Sequence, residues 1–339
     1  MTAPRFSRRL ALSGAGLGLA GLGLAACGTT DPATDATTGP ASGSGADQAS
    51  GDAATVTVTS GDGIEVEVPA NPTGVAGLEW SVLEDIIAVG GPLTGATDIE
   101  GYAAWGTSTA PIPAGVTELG TRREPSIETI ATLAPDVIIG TDSSIPETAL
   151  DQVQQIAPVL TIQAPVGDRP IEIMQENHRT VGLAVGRPDQ AEENLQAYEA
   201  RLAEAKEQLA GVTGSFVFVN ASENAGQILF RMHGTRSLAG AVADAAGLTN
   251  GFTDPGDDAW GLGSWDLEAM VANLPDDATI LSWTDPADDQ VAASLTGQSA
   301  WESIPAVAEG RLHNITQMWP YGGPIAMIRW LDLLVETLA

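Results

Sequence analysis

The chain of 339 residues has a single cysteine, Cys27. No disulfide can form within it, so its stability rests on packed apolar cores. Lys206 is its only lysine, and 14 lysines and arginines face 44 aspartates and glutamates, a formal net charge of −30. No basic stripe exists that could follow a phosphate backbone, which excludes nucleic-acid binding. The same acidity repels anionic lipid headgroups and excludes electrostatic attachment to a membrane surface. The three histidines, His178, His233 and His313, stand far apart without metal-ligand spacing, which argues against capture of a bare metal ion. A Gly-x-Ser-x-Gly elbow, a His-Glu-x-x-His pair and a P-loop are all missing. The apolar run from Leu10 to Ala26 is shorter than the roughly 20 residues that cross a bilayer, and glycines interrupt it.

What is present starts with that run. Arg5, Arg8 and Arg9 precede it, Leu24-Ala25-Ala26-Cys27 ends it, and small polar residues follow, the order of an export signal. The ending resembles a bacterial lipoprotein lipobox. It implies a signal peptide over residues 1–26, lipidation of Cys27, and a domain held by acyl chains to the outer face of the cell membrane. Ser7-Arg8-Arg9 resembles part of a twin-arginine signal, with Ala11 where an aromatic is usual, so both export routes stay open. Gly16-Leu17-Gly18-Leu19-Ala20-Gly21 matches a dinucleotide fingerprint by letter, but no strand precedes it. Residues 28–53 hold no large apolar side chain and cannot offset their ordering entropy. Residues 27–54 are therefore read as the lipidated cysteine and a tether reaching about 25–30 Å.

Beyond it, Val56 and Val58 alternate with polar residues, as do Ile64, Val66 and Val68 after the Gly61-Asp62-Gly63 turn, which predicts a hairpin. Apolar runs at 75–78, 137–139 and 159–162 then alternate with helical stretches at 81–89, 127–133 and 147–156. This is the α/β pattern of βα units on a mainly parallel sheet. Ser81-Val82-Leu83-Glu84 reads as a capping box opening the first helix. Ala191, Leu195, Tyr198, Leu202, Ala205 and Leu209 recur at helical spacing and predict one long helix. A second βα series follows, with strands at 216–219, 227–230 and 279–283, helix 237–246, and a closing helix that starts near Gly322-Gly323. The expected organisation is an N-terminal lobe over 55–187, a connecting helix over 188–210 and a C-terminal lobe over 211–339.

The two lobes share a motif. Ser126-Ile127-Glu128 leads to Pro135-Asp136 and an apolar strand, and Asp266-Leu267-Glu268 leads to Pro275-Asp276 and another at the same spacing. Ser126 and Asp266 are good N-caps. The macrodipole alone favours an acid in a first helical turn. A repeated pair of surface carboxylates also suits docking on a two-fold partner.

Taken together, residues 55–339 resemble the substrate-binding protein of an ABC importer for iron-siderophores, within that group the ferric hydroxamate (ferrichrome-type) binders. Glu79-Trp80 with Glu84–Gly90, Gly120-Thr121-Arg122-Arg123-Glu124-Pro125-Ser126-Ile127-Glu128, and Trp319-Pro320-Tyr321-Gly322-Gly323 carry the resemblance. It implies two lobes on one interlobe helix, the helical-backbone periplasmic-binding-protein type. It implies permease docking through Glu128 and Glu268. It implies a cleft arginine at Arg122, whose guanidinium donates to the oxygens around the iron, and cleft tryptophans at Trp260 and Trp319. Arg123 is the rival for Arg122, and a surface pair with Glu118 or Glu124 is the competing role. Trp80 and Trp105 are placed in loops of the first lobe that face the ligand, and Arg231 and Tyr321 complete the site. Trp283 and Trp330 are assigned to the core. The family's tyrosine after the Pro-Asp strand is replaced by Gly140-Thr141-Asp142-Ser143-Ser144, which leaves the choice of siderophore open.

The expected partners are a ferric siderophore, permease subunits and, through the lipid, a membrane. The chain is expected to act as a monomer, without catalysis and with no cofactor; iron enters only within the ligand. Heme or cobalamin binding on the same fold is the nearest alternative, with Tyr321 or a histidine as axial ligand. An extracytoplasmic enzyme or an adhesin is the alternative of another class.

Overall fold

Strands Val75–Gly77 (β3) and Val137–Thr141 (β8) are buried at every position, which only the middle of a parallel sheet covered on both faces permits. The computed structural model in which they are seen describes residues 54–224, 227–284 and 290–339. Cys27, segment 1–26 and the tether through residue 53 lie outside the described residues.

Thr55–Thr59 (β1) and Glu65–Pro69 (β2) form the expected antiparallel hairpin, with Val58 and Val68 turned inward. The first sheet runs β5-β4-β3-β8-β9, all parallel, with Leu93–Ala96 as β4, Thr117–Glu118 as β5 and Val159–Ile162 as β9. Gly120–Thr121 (β6) and Glu124–Pro125 (β7) make a small ribbon with Arg122 and Arg123 at its turn. The second sheet runs β13-β11-β10-β14-β15, comprising Ser215–Asn224 (β10), Gln227–His233 (β11), Leu262–Asp266 (β13), Thr279–Trp283 (β14) and Leu312–Ile315 (β15); Thr249–Asn250 (β12) pairs with β10. It departs from the expected series. β10, β12, β14 and β15 are parallel, but β11 returns antiparallel to β10, and β13 antiparallel to β11.

The helices are Trp80–Ala88 (α1), Ile99–Trp105 (α2), Ile127–Leu133 (α3), Glu147–Gln154 (α4), Pro170–Ala184 (α5), Pro188–Gln208 (α6), Leu238–Ala245 (α7), Leu267–Asn273 (α8), Gln290–Leu295 (α9), Ser299–Glu302 (α10), Pro305–Ala308 (α11) and Pro324–Leu338 (α12). Strand alternation divides the core into layers. Val137 and Ile139 of β8, Phe216 and Phe218 of β10, and Leu281 of β14 join one cluster with Tyr198 of α6 and Trp330 of α12. Ile138 faces a second cluster under α3 and α4, and Val217, Val219 and Ile280 face a third with Met270 and Trp301. Each fully buried side chain of this size stabilises the fold by about 1.5–3 kcal/mol. The shared cluster bridges both sheets through the long helix α6, where Ala191, Leu195, Tyr198 and Ala205 are buried as the spacing predicts, Leu209 just past its end is buried too, and Leu202 is half-buried. Trp283 and Trp330 are buried as assigned.

Two helices escape the sequence pattern. The buried face of α5 includes Asn177 and His178, so no apolar stripe shows. Asn177 exchanges hydrogen bonds with the Gln163 backbone at 3.1 and 2.7 Å, and His178 meets Asp85 at 2.6 Å. α2 is only seven residues long and begins at Asp98 in the left-handed region, φ 54°. The capping box at Ser81 is corrected as well. The N-cap is Glu79, two residues earlier: its Oε1 accepts the Trp80 N–H at 2.9 Å, α1 starts at Trp80, and Glu84 points away into the core. Among the described residues no helix is long and apolar enough to cross a membrane.

Candidate ligand cleft

The first sheet changes direction at β3, which has β4 on one side and β8 on the other. Such a reversal opens a crevice beyond the carboxyl ends of the strands. Glu79 and Ser81 follow β3, Asp98 follows β4, Ser143 follows β8, and Thr121, Arg122 and Arg123 come from the β6–β7 ribbon. All seven line one cavity of about 360 Å³. The opposite wall is Arg231, Trp260, Trp319 and Tyr321. Arg231 stands across from Asn220, whose side chain donates to the Trp283 carbonyl at 3.0 Å, so it sits level with the carboxyl end of β14.

Arg122 is fixed from several sides. Its Nη1 donates to Glu79 Oε1 at 2.9 Å, and Nε lies 3.6 Å from Asp98 Oδ2. Its guanidinium carbon is 3.8 Å from the Trp80 ring centroid and 5.3 Å from that of Trp319. Cation–π contacts of this kind contribute about 0.5–2 kcal/mol, more as water is excluded. Glu118, a candidate surface partner for Arg122, instead accepts the N–H groups of Asp98, Ile99 and Gly120 at 3.0, 2.9 and 2.9 Å. Among the described arginines only Arg123, Arg187 and Arg231 lack an ion pair, and two of these three line the cavity. Three cationic side chains therefore face two acids there. The cleft is a locally basic concavity on a strongly acidic chain.

Aromatic rings build the rest. Trp319 meets Trp80 at 4.7 Å between centroids, Tyr321 at 5.1 Å and Trp283 at 5.6 Å, and Trp260 meets Tyr321 at 4.8 Å. Burial pushes the Tyr321 phenol up to about 12, so it remains a neutral hydrogen-bonding group. Behind it, His233 packs on Phe218 at 4.5 Å, and burial, aided by Arg231, holds it down to about 3. It is neutral at physiological pH.

The structure thus gathers Arg122, Arg231, Trp260, Trp319 and Tyr321 around one cavity, with the rival Arg123 beside them. Trp80 is not in a loop: it opens α1, is buried, and lies under Arg122. Trp105 is not in a loop either. It ends α2, packs edge-on against Trp283 at 4.9 Å and is absent from the cavity lining, because the helix turns it toward the core. Glu79, Ser81, Asp98, Thr121 and Ser143 line the cavity without being named as ligand residues from the sequence; Glu79 beside Trp80, Thr121 beside Arg122, and Ser143 in the stretch that replaces the family's tyrosine were the signals at hand. Glu128 and Glu268 are exposed in the first turns of α3 and α8. Ser126 Oγ accepts the Thr129 N–H at 3.3 Å, and Asp266 Oδ1 the Ala269 N–H at 2.7 Å. Among the described residues no group of three or more His, Cys, Asp or Glu is placed to hold a metal ion. The cleft offers N–H donors and indole faces.

The model of the periplasmic binding protein family matches residues 75–317. The iron(3+)-hydroxamate-binding protein FhuD of Escherichia coli (strain K12) is 21% identical over 268 residues, 79% of this chain and 88% of that protein. The probable siderophore-binding lipoprotein YfiY of Bacillus subtilis (strain 168) is 26% identical over 296 residues, covering 84% and 87%. Among solved structures, the siderophore-binding protein FhuD from Vibrio cholerae with Fe3+-Desferal bound superposes with a TM-score of 0.69 at 24% identity, covering 78% of this chain and 97% of that one.

Proposed function

The chain belongs to the periplasmic binding protein family, and from that premise we propose that it captures a ferric siderophore of hydroxamate type and delivers it to an ABC importer. The observation that carries this reading is Arg122, held over Trp80 and near Trp319 in the lining of a cavity with two unpaired arginines. A ferric hydroxamate presents a shell of oxygens around its iron and apolar arms beyond it. Guanidinium N–H groups are suited to the oxygens, because several donors converge in one plane. Indole faces are suited to the arms, since they give large apolar contact at little entropic cost. Iron is cargo inside its ligand, and the protein binds and releases it without turnover.

The name of the Escherichia coli relative supports a hydroxamate ligand and that of the Bacillus subtilis relative supports a siderophore, while the lipobox supports anchoring through Cys27 outside the cytoplasm. The protein acts as a monomer, and a single long helix between lobes keeps closure small. Glu128 and Glu268, equivalent by the internal repeat, dock the loaded protein on two permease subunits.

The deciding experiment is a tryptophan-fluorescence titration of the full chain against ferrioxamine, ferrichrome, a ferric catecholate, heme and cobalamin. Submicromolar quenching by a hydroxamate is the expected result. Preference for another member of the panel overturns the ligand class, and silence with all five overturns siderophore capture.

A further inference from the structure

α12 has glycine at its N-cap and proline at its first position, so its own sequence supplies no side-chain cap. The cap comes from the other lobe. Glu84 of α1 is fully buried, and its Oε1 accepts the N–H of Gly323 at 2.9 Å and of Ala326 at 3.3 Å. A carboxyl at the N-terminus of a 15-residue helix satisfies two orphan amides and lies at the positive end of the dipole. Asp85 lies beside it, buried, with its Oδ1 on His178 Nδ1 at 2.6 Å. The approach is so close that a Cβ on Gly322 would collide with Glu84 Oε1, and one on Gly323 with Asp85 Oδ1.

Both partners of this cap continue directly into the cleft. One turn before Glu84, α1 presents Trp80 and Ser81; just before Gly323, the chain presents Trp319 and Tyr321. We propose that Glu84 is a positioning residue of the cleft, a cap lent by the first lobe to α12 that sets the spacing between the Trp80–Arg122 wall and the Trp319–Tyr321 wall. The assignment rests on the cleft being the ligand site.

The strut has a chemical switch within it. Burial pushes the Glu84 carboxyl up to about 8, its amide and Thr107 contacts opposing and the neighbouring Asp85 reinforcing the rise. Oε2 has no hydrogen-bond partner, which a neutral carboxyl tolerates better than a charged one. The titratable groups facing it are Asp85 on its own helix, His178 of α5 through Asp85, and Tyr102 of α2, whose phenol its burial, reinforced by the same two acids, holds far up. Ionisation above this range puts a buried negative charge between the walls that the two amides and the helix dipole offset only in part, which favours water entering the seam.

The test compares wild type, Glu84→Gln, which keeps an acceptor but cannot ionise, and Glu84→Met, which removes the acceptor. For each full-length protein, the near-ultraviolet circular dichroism of the ligand-free form and the affinity for ferrioxamine are followed between about pH 6 and 9.5, below the ionisation range of Tyr321. Wild type should change in both readouts with a midpoint near 8. Glu84→Gln should keep wild-type affinity at the acid end within about twofold and stay flat. Glu84→Met should lose about tenfold or more in affinity at every pH and exchange the Gly323 and Ala326 amides faster. Superimposable wild-type and Glu84→Gln profiles, or a Met variant with unchanged affinity and amide protection, overturn the proposal. If Glu84→Met does not fold, the wild-type and Gln profiles decide. If wild type binds no ferrioxamine, the function reading fails alone, and dichroism and amide exchange still decide the role of Glu84.

Discussion

Arg122 and Trp80 form the tightest cation–π contact described in the structure, the guanidinium carbon 3.8 Å from the ring centroid. A buried indole under an arginine already paired with Glu79 leaves that arginine little freedom. Its remaining N–H groups are therefore pre-aimed, and less entropy is lost when a ligand accepts from them.

Arg122→Ala should weaken ferric hydroxamate binding at least about tenfold, about 1.4 kcal/mol. Arg122→Lys should recover only part of this, since an ammonium keeps the charge and loses the planar fork. Fluorescence titration measures both. An Ala variant with wild-type affinity would move the site elsewhere.

Arg123 and Arg231 carry no ion pair, so their contribution should follow ligand charge. Arg123→Ala and Arg231→Ala should reduce affinity for a highly anionic ferric catecholate about tenfold or more at low salt. Affinity for a neutral ferric hydroxamate should fall less than about threefold. Equal losses for the two ligands would mean that these arginines act by shape and not by charge.

Glu128→Ala combined with Glu268→Ala should leave ligand affinity unchanged and abolish uptake by cells. Both side chains are exposed and outside the cavity lining, so binding and delivery separate cleanly. Normal transport by the double variant would remove the docking role.

His233 predicts acid lability. Its folded pKa, about 3, lies below the ordinary value of 6.5, so between those pH values the unfolded chain binds the extra proton. Its contribution to stability is full above the ordinary value and is lost as pH falls toward 3, by about 1.4 kcal/mol per unit. His233→Leu should cost packing at pH 7. Between pH 7 and 4.5 wild type should then lose about 2–3 kcal/mol relative to the variant in urea unfolding. Parallel pH profiles would show that the imidazole does not titrate on unfolding.

The regular parts of this fold are legible in the chain. Val137–Ile139, the stripe from Ala191 to Leu209 and the two Pro-Asp motifs give strands, the long helix and the repeat, because periodicity reports which face is buried. α5 is hidden because His178 and Asn177 occupy its core face, and their partners, Asp85 and Gln163, are remote or unremarkable in sequence. The antiparallel return of β11 is not shown by alternation, which does not encode strand direction, but by the short connection between 216–219 and 227–230, which leaves no room for a parallel crossover. At the cleft, Arg122, Trp260 and Trp319 could be placed by resemblance. Glu79 and Asp98 could not, since a carboxylate that steadies an arginine carries no mark until the fold brings the two together. The same reason makes Glu84 look like half of a local capping box when it serves a helix more than 200 residues away.

The Glu84–Gly323 contact also bears on the order of assembly during synthesis. It joins positions 239 residues apart in the chain. Contacts of such long range close late, because the loop between them must first be confined. As the chain is made, strands β1 to β9 are complete long before residues 319–326 exist, yet the wall of Trp80 and Arg122 has nothing to face. The cleft is thus among the last parts of the molecule to form, and a truncated or stalled chain, however much sheet it has gained, lacks the wall that Trp319 and Tyr321 supply.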